Sequence, residues 1–254
     1  KMLAIERRNM IMEKLQTERR VVVSELSRMF KVSEETIRRD LERMEKDGLV
    51  TKSYGGAILN ENNNIDLPFN VRKNRNVSGK QKIAELIAAQ INDGDHIMLD
   101  ASSTAVFIAK AIKSKKNITL ITNSIEILIE LNDVENWHIL STGGILKQGS
   151  LALVGPHTDK MIHSFHVDKA IISCKGIDLD KGFTDSSVMH AETKSTMLEC
   201  ANEKILAVDS SKFDKISFTK IDDLNHVTKI VTDENPGSQW LEALKTLGIE
   251  CIYA

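Results

Sequence analysis

Seven short apolar runs after residue 95 limit the fold of this chain more than any other feature. They are His96-Ile97-Met98-Leu99, Ile118-Thr119-Leu120-Ile121, His138-Ile139-Leu140, Ala170-Ile171-Ile172, Ile205-Leu206-Ala207-Val208, Lys229-Ile230-Val231 and Cys251-Ile252-Tyr253. Most are separated by stretches with helical periodicity, such as 105–113, 124–131, 190–202 and 238–247. A further helix carrying Ile83, Leu86, Ile87 and Ile91 precedes the first run and ends at the turn Asn92-Asp93-Gly94-Asp95. Strands that are apolar throughout and alternate with helices predict a mostly parallel sheet covered on both faces.

The first 59 residues follow a different pattern. Residues 5–17 carry an apolar stripe of Ile5, Met12 and Leu15, with Ile11 beside it. Val21-Val22-Val23 is a β-branched run suited to a short strand. Ser24 has N-cap chemistry for a helix whose buried face is Leu26 with Met29 and Phe30. Lys31-Val32 makes a brief turn. Ser33 caps a second helix that runs to about Asp47, with Gly48 just beyond it. Ile37, Leu41 and Met44, spaced i, i+4, i+7, form its inner face. Leu49 to Tyr54 and Ala57-Ile58 flank Gly55-Gly56, a β-hairpin wing. This is a helix-turn-helix whose second helix presents Ser33, Glu35, Thr36, Arg38, Arg39 and Arg43 outward, a set suited to phosphates and base edges of duplex DNA.

Charge is divided in the same way. The chain is nearly neutral, yet residues 1–82 hold 18 Lys and Arg against 12 Asp and Glu, and residues 83–254 hold 16 against 24. All ten arginines lie at or before Arg75. Such asymmetry points to a nucleic-acid module joined to something else. Between the two, residues 60–79 carry Asn60, Asn62, Asn63, Asn64, Pro68, Asn70, Asn74 and Asn76, and read as a loop linker. The expected domains are therefore 1–59, which binds DNA, and 80–254, an α/β domain.

Three loops of the second domain follow predicted strands and are rich in small hydroxyl residues, Asn or Gly: Asp100-Ala101-Ser102-Ser103-Thr104, Thr122-Asn123-Ser124, and Ser141-Thr142-Gly143-Gly144. Each alone reads as a helix cap or tight turn. Gathered at the carboxyl edge of a parallel sheet, with Lys80, Lys175, Lys194, Lys212 and Asp209 near strand ends, they point to a crevice for a phosphorylated ligand.

Val32-Ser33-Glu34-Glu35-Thr36-Ile37-Arg38-Arg39-Asp40-Leu41, followed by Gly48-Leu49-Val50 and Gly55-Gly56-Ala57, resembles the signature of the DeoR/GlpR family of bacterial regulators. The resemblance covers residues 3–58 and implies a winged helix-turn-helix, its helix-turn-helix proper at about 21–40, that reads operator DNA. It continues over 80–254, which look like the DeoR-type sensor domain, similar in fold to ribose-phosphate isomerase and glucosamine-phosphate deaminase. It implies a phosphorylated sugar or related metabolite as effector, which loosens operator binding. The effector-site motif carries onto Lys80, Asp100, Ser102, Ser103, Thr104, Thr122, Asn123, Ser124, Gly143, Gly144, Asp209 and Lys212. Two positions depart. Ala101 and Ser102 stand where Ser and Gly are usual, which removes glycine's freedom and is expected to reshape the phosphate pocket. Gly79 stands where an acidic residue is common.

The expectation is a cytoplasmic, homo-oligomeric repressor, dimer or tetramer, of a carbohydrate-utilisation operon. Its partners are operator DNA and a phosphorylated sugar, with no cofactor and no membrane. No apolar stretch approaches the roughly 18 residues of a membrane helix, and Glu6, Arg7 and Arg8 leave no signal-peptide core. Cys174, Cys200 and Cys251 read as free thiols. The alternative is a sugar-phosphate isomerase or deaminase. Asp100, Asp185, Glu192 and Asp209 are available as bases, but no spacing marks a catalytic pair. The histidines have no metal-ligand spacing, and His163 and His166, three apart, share a helix face as surface groups.

Overall fold

A computed structural model describes residues 2–46, 48–59 and 67–254. The side chain of Ile5, the expected helix end at Asp47 and the Asn-rich residues 60–66 lie outside the described residues. The chain divides into two compact units, Lys1–Arg75 and Asn76–Ala254.

The first unit runs α1 (Ala4–Glu18), β1 (Arg20–Val22), α2 (Val23–Phe30), α3 (Glu34–Lys46), β2 (Val50–Ser53), β3 (Gly56–Leu59) and α4 (Phe69–Lys73). It is a winged helix-turn-helix. The i, i+4, i+7 spacing of α3 buries Ile37, Leu41 and Met44 against Ile11 and Leu15 of α1 and Leu26 of α2. Lys31 adopts a left-handed conformation (φ 53°) between α2 and α3, and Ser27 Oγ donates to Val32 O at 2.7 Å to close the turn. Gly48 (φ 72°) ends the α3 segment, with Leu49 N donating to Met44 O.

Two details differ from the sequence expectation. Ser24 is not a cap: α2 begins at Val23, whose N–H donates to Gly55 O of the wing at 2.8 Å. A neighbouring strand end thereby satisfies a helix-terminal donor that a hydroxyl was expected to take. Met29 is exposed, and the inner face of α2 is Val23, Leu26 and Phe30.

The wing is the antiparallel pair β2–β3, with Ser53 opposite Gly56 and a two-residue turn at Tyr54-Gly55. Gly55 takes φ 80°, which suits glycine. Gly56 serves differently. β3 also pairs with β1, and a Cβ at 56 would lie 2.0 Å from the Val21 carbonyl oxygen. The wing seats on the helices only because that side chain is missing.

The expected loop at 60–79 is helical in part. Leu67 and Val71 join the winged-helix core, and Phe69 and Val71 are the buried residues of α4. Reading the asparagines as breakers overlooked three apolar residues spaced two apart.

The second unit runs α5 (Val77–Ala88), β4 (His96–Leu99), α6 (Ser103–Ala111), β5 (Thr119–Thr122), α7 (Ile125–Glu130), β6 (His138–Ser141), β7 (Ile145–Lys147), β8 (Ala152–Val154), α8 (Pro156–Ile162), β9 (Val167–Ile172), β10 (Gly176–Asp178), β11 (Gly182–Asp185), α9 (Val188–Glu199), β12 (Ala201–Ala207), β13 (Thr219–Asp222), β14 (Lys229–Thr232), α10 (Ser238–Thr246) and β15 (Glu250–Tyr253). The seven apolar runs form one sheet in the order β15-β14-β12-β9-β4-β5-β6, parallel throughout. Met98, Ile172, Leu206 and Ile230 pack with Phe183, Trp240 and Leu244 in one core cluster. Two small antiparallel additions, β10-β11-β13 and β7-β8, were not legible in the sequence. His163 and His166 lie beyond the end of α8, not on a helix face. His163 Nδ1 stands 3.6 Å from Cys200 Sγ, and His166 Nε2 2.9 Å from Asn202 Oδ1. No helix among the described residues is long and apolar enough to cross a membrane.

One buried ion pair joins α1 to α3: Arg7 Nε donates to Asp40 Oδ2 at 2.5 Å, with side chains 8% and 5% exposed. Arg8 reaches the other oxygen at 3.6 Å. Replacing Asp40 by Ala would strand Arg7 in the core. The expected loss is about 3–5 kcal/mol from the first unit, read as faster hydrogen exchange at α1 and α3 amides in the full-length protein.

Candidate functional site

Two surfaces carry the chemistry, one in each unit. On the first, the 13 residues of α3 extend about 20 Å. With Ile37, Asp40, Leu41 and Met44 turned inward, Ser33, Glu34, Glu35, Arg38, Arg39 and Arg43 are exposed and Thr36 is half-buried. Ser33 is the cap the sequence predicts. Its Oγ accepts from Thr36 N at 3.3 Å and meets Thr36 Oγ1 at 2.9 Å. The two arginines are held along the helix by partners one turn back: Arg38 Nη2 to Glu34 Oε2 at 2.6 Å, and Arg39 Nε to Glu35 Oε1 at 3.3 Å. Pairs this exposed are weak, so the guanidiniums exchange partners at little cost.

On the second unit, chain direction does the arranging. β4, β5 and β6 proceed toward one edge of the sheet, and β9 then returns to pair on the other side of β4. Beyond the carboxyl ends of β4 and β9 a crevice must open. The loops there bring together Asp100 to Thr104, Asn123-Ser124, Thr142 to Gly144, Ser173 to Lys175, Asp209 to Lys212, and Asp233.

Asp100 sits at the switch point, 1% exposed. Its Oδ1 accepts from Ser102 N at 3.1 Å, and its Oδ2 from Ser173 N at 3.0 Å, so one carboxylate ties the loops of β4 and β9. Lys194 of α9 stands 3.5 Å from the same Oδ2 and donates to Asp185 Oδ2 at 2.5 Å. Burial pushes the Asp185 carboxyl up. The Lys194 ammonium and its hydrogen bond outweigh that, with smaller help from His190 and Lys175, and hold Asp185 well below the usual carboxylate range. Burial likewise opposes the Lys194 charge, but Asp185 and Asp100 outweigh it and raise its pKa. Asp100 and Lys194, both expected to face a ligand, are thus engaged with each other and with Asp185. The sequence listed Asp185 only among possible bases; no spacing ties it to Lys194.

A second cluster lies beyond β12. Asp209 is buried and accepts from Ser211 N at 3.1 Å and from the Ser211 hydroxyl. Burial pushes its carboxyl up, but the charges of Lys212 and Lys80 and the Ser211 hydrogen bonds outweigh this and hold it down. The structure therefore brings Lys80 and Lys212 within electrostatic reach of Asp209. Cys174 lies within electrostatic reach of both clusters. Burial pushes its thiol up to about 12, against the pull of Lys194 and Lys212, so it is protonated at neutral pH.

The small polar residues divide by role. Ser102 Oγ accepts from Ala105 N at 3.0 Å and Ser124 Oγ from Ile127 N at 3.2 Å, capping α6 and α7. Ser103 and Thr104 open α6 and are buried. Thr122 Oγ1 donates to Leu99 O at 2.7 Å and accepts from Ser124 N, which joins β4 to β5. Asn123 Nδ2 donates to Leu153 O at 2.9 Å, and its Oδ1 is buried with no hydrogen-bond partner. Gly143 and Gly144 have φ of 63° and 112°, and Thr158 Oγ1 of α8 donates to Gly143 O at 2.7 Å. Lys175 N donates to Thr184 O at 2.8 Å, which keeps that residue beside Asp185. At Ala101-Ser102 the backbone is one that a serine holds without strain. Ser102 has φ −81° and ψ 156°, an ordinary extended conformation that needs no glycine. Among the described residues, no group of three His, Cys, Asp or Glu could hold a metal ion.

A winged helix-turn-helix followed by an α/β unit with a polar crevice at its strand ends is the layout of a DNA-binding regulator that senses a ligand. Residues 7–63 match the DeoR-like helix-turn-helix domain, and residues 75–234 match the DeoR C terminal sensor domain. The chain is 39% identical over 244 residues to the HTH-type transcriptional regulator YulB of Bacillus subtilis, covering 96% of this chain and 94% of that one. It is 34% identical to the transcriptional repressor AccR of Agrobacterium fabrum, covering 90% and 89%. It is 36% identical to the L-fucose operon activator of Escherichia coli, covering 82% and 86%. Among solved structures, a ribose 5-phosphate isomerase from Methanocaldococcus jannaschii overlaps 53% of each chain at a TM-score of 0.38 and 18% identity. The protein belongs to the DeoR family of transcriptional regulators.

The Lys194 cluster makes a sign-definite prediction about pH. In the native protein Asp185 is depressed, so its contribution to stability is present above the ordinary carboxylate pKa and is lost only as pH falls through the lower native value. In Lys194→Met the buried Asp185 loses its counter-charge, and burial should raise its pKa above the unfolded one. Stability should then fall as pH rises from about 4 to 7, while the wild type stays flat. Melting temperatures across that range check it; parallel profiles would show that Lys194 is not the counter-ion.

Proposed function

We propose that this protein represses a carbohydrate-utilisation operon and releases its operator when the α/β unit binds a phosphorylated sugar. The observation that carries the effector half is the reversal of strand order between β4 and β9, the place where such sheets bind ligands, with the N-terminus of α6, the Gly143-Gly144 turn and the Lys80–Asp209–Lys212 cluster on loops at the strand ends. Helix N-termini and lysines favour phosphate. Lys80, Lys212, Lys175, Ser103, Thr104, Gly143 and Gly144 are the groups we assign to the phosphate end. Asn123 Oδ1, buried and without a hydrogen-bond partner, suits a sugar hydroxyl as its acceptor. Asp209, kept ionised, suits another. Asp100, Lys194, Thr122, Ser102 and Ser124 act by positioning loops. Relatives named as a repressor and as an L-fucose operon activator support sugar-responsive regulation, and repression is the reading taken here.

On the DNA side, Arg38, Arg39 and Arg43 are assigned to base edges and phosphates, with Ser33, Glu35 and Thr36 beside them. Two such helices reading half-sites about 34 Å apart require a homo-oligomer. A regulator of this kind works in the cytoplasm, in keeping with three free cysteines. The isomerase reading needs a base poised for proton transfer. Asp185 and Asp209 are both held low beside lysines, and the Cys174 thiol is protonated, so nothing in the site favours turnover.

Selection of bound sequences from a random duplex pool defines the operator. Gel-shift titration with a panel of pentose, hexose and hexosamine phosphates then tests the switch. At least one is expected to weaken operator affinity roughly tenfold or more, a coupling of ordinary size; no response to any would remove the effector half. Arg38→Ala and Arg39→Ala should each lower operator affinity, by about 1–3 kcal/mol with relaxed specificity if the residue reads a base, or uniformly with a shallower salt slope if it grips phosphate. Glu34→Gln with Glu35→Gln should do the reverse for random-sequence duplex, measured by fluorescence anisotropy.

A further inference from the structure

The second unit begins at Asn76, directly after the last residue of the DNA-binding unit. Asn76 takes a left-handed conformation (φ 44°), and its side chain works in two directions. Oδ1 accepts from Gly79 N at 3.3 Å and caps α5. Nδ2 donates to Asp233 Oδ2 at 3.2 Å. Asp233 follows β14 and is 3% exposed. Its other oxygen accepts from Ser210 N at 2.6 Å. Ser210 opens the turn beyond β12 that carries Asp209, Ser211 and Lys212. One carboxylate therefore bridges that turn and the head of α5.

The packing around the bridge is close. A Cβ at Gly79 would lie 2.3 Å from Asp233 Oδ2 and 2.5 Å from Asn76 Nδ2, so the first turn of α5 has no room for a side chain there. An acidic residue at 79 would set a second carboxylate against Asp233. Lys82 Nζ reaches the Asp233 carbonyl at 3.5 Å, and Lys80 is buried within electrostatic reach of Asp209. Hydrogen bonding, close packing and charge all link the first turn of α5 to the 209–212 turn.

We propose that Asp233 is a positioning residue that couples the effector turn to the junction with the DNA-binding unit. One oxygen grips Ser210 N–H and the other grips Asn76, so a ligand that moves residues 209–212 moves the start of α5. This rests on the reading of the 209–212 turn as part of the effector crevice. The link is short and has no flexible chain in it: a planar carboxylate of fixed width, a backbone N–H and a helix cap. A shift at Ser210 either carries Asp233 with it or breaks a buried hydrogen bond.

Hydrogen exchange on the full-length protein tests this with and without a ligand. Ser210→Pro removes the N–H donor. Asp209 already has φ −78° and ψ 157°, the extended conformation a residue before proline needs, so the turn accommodates it. Without ligand, this variant should raise exchange at residues 76–83 by roughly fivefold or more, the scale of one lost hydrogen bond, and leave β9 and β12 unchanged. Asp233→Asn, which sets two amide groups against each other at Asn76, should do the same at 76–83 and spare 209–213. Inorganic phosphate and glucose 6-phosphate serve as probes. A probe that slows exchange at 209–213 in the wild type should slow it at 76–83 too, and Asp233→Asn should keep the first effect and lose the second. Unchanged exchange at 76–83 in Ser210→Pro, or a probe response confined to 209–213 in the wild type, overturns the proposal. If neither probe protects 209–213, that assignment of the effector site fails, and Ser210→Pro still decides the coupling.

Discussion

A lysine ammonium buried at the carboxyl edge of a sheet keeps its charge only if carboxylates surround it, and Lys194 has two. Asp185 takes the hydrogen bond and Asp100 stands as the more distant ion-pair partner. The functional end of the second unit depends on this pairing. Through Asp100 it ties the β4 loop to the β9 loop at the point where the strand order reverses. Through Asp185 it anchors β11 and the small sheet β10-β11-β13. Through Lys194 it pins α9 across the crevice. An isolated buried charge costs several kcal/mol, so these elements hold one another in place around a shared need for neutralisation. The loops at this sheet edge then stand on a rigid base.

The DNA-binding unit repeats the device on a smaller scale. Asp40 directly follows Arg38-Arg39 on the recognition helix, yet it turns inward to meet Arg7 of α1. That contact sets the roll of α3 against α1 and so decides which side of the helix carries its exposed arginines. In both units, a buried ion pair positions groups that do other work nearby.

Much of the fold was legible before any coordinates. Short runs of apolar residues favour burial on both faces, and the runs at 96–253 form seven parallel strands, of which the edge strands β6 and β15 are only partly buried. The helix-turn-helix was legible because Ile37, Leu41 and Met44 recur at helical spacing behind a Ser33 cap. Legibility failed where a distant partner overrode a local signal. Ser24 looked like a cap until Gly55 of the wing supplied the acceptor for Val23 N–H. Residues 67–73 looked like loop because they sit in the Asn-rich stretch 60–79 and contain Pro68, yet Leu67 and Val71 reach an existing core. Of the crevice residues, the lysines and hydroxyl loops could be listed from the chain, but their division into ligand-facing and positioning groups could not. Asp185 and Asp233 carry no spacing signal at all, since each meets its partner across the fold.

The sequence by itself determined the two-part plan, the recognition helix, the parallel sheet and the edge at which its polar loops gather, because periodicity and capping are local and act through nearest neighbours. Only the tertiary structure decided which charges cancel and which remain available. That choice depends on distances between Lys194, Asp100 and Asp185, between Asp209, Lys80 and Lys212, and between Asp233, Ser210 and Asn76. Asp209 and Lys212 are near neighbours in the chain, but Asn76 and Asp233 are 157 residues apart, and only folding brings such groups within hydrogen-bond or electrostatic reach.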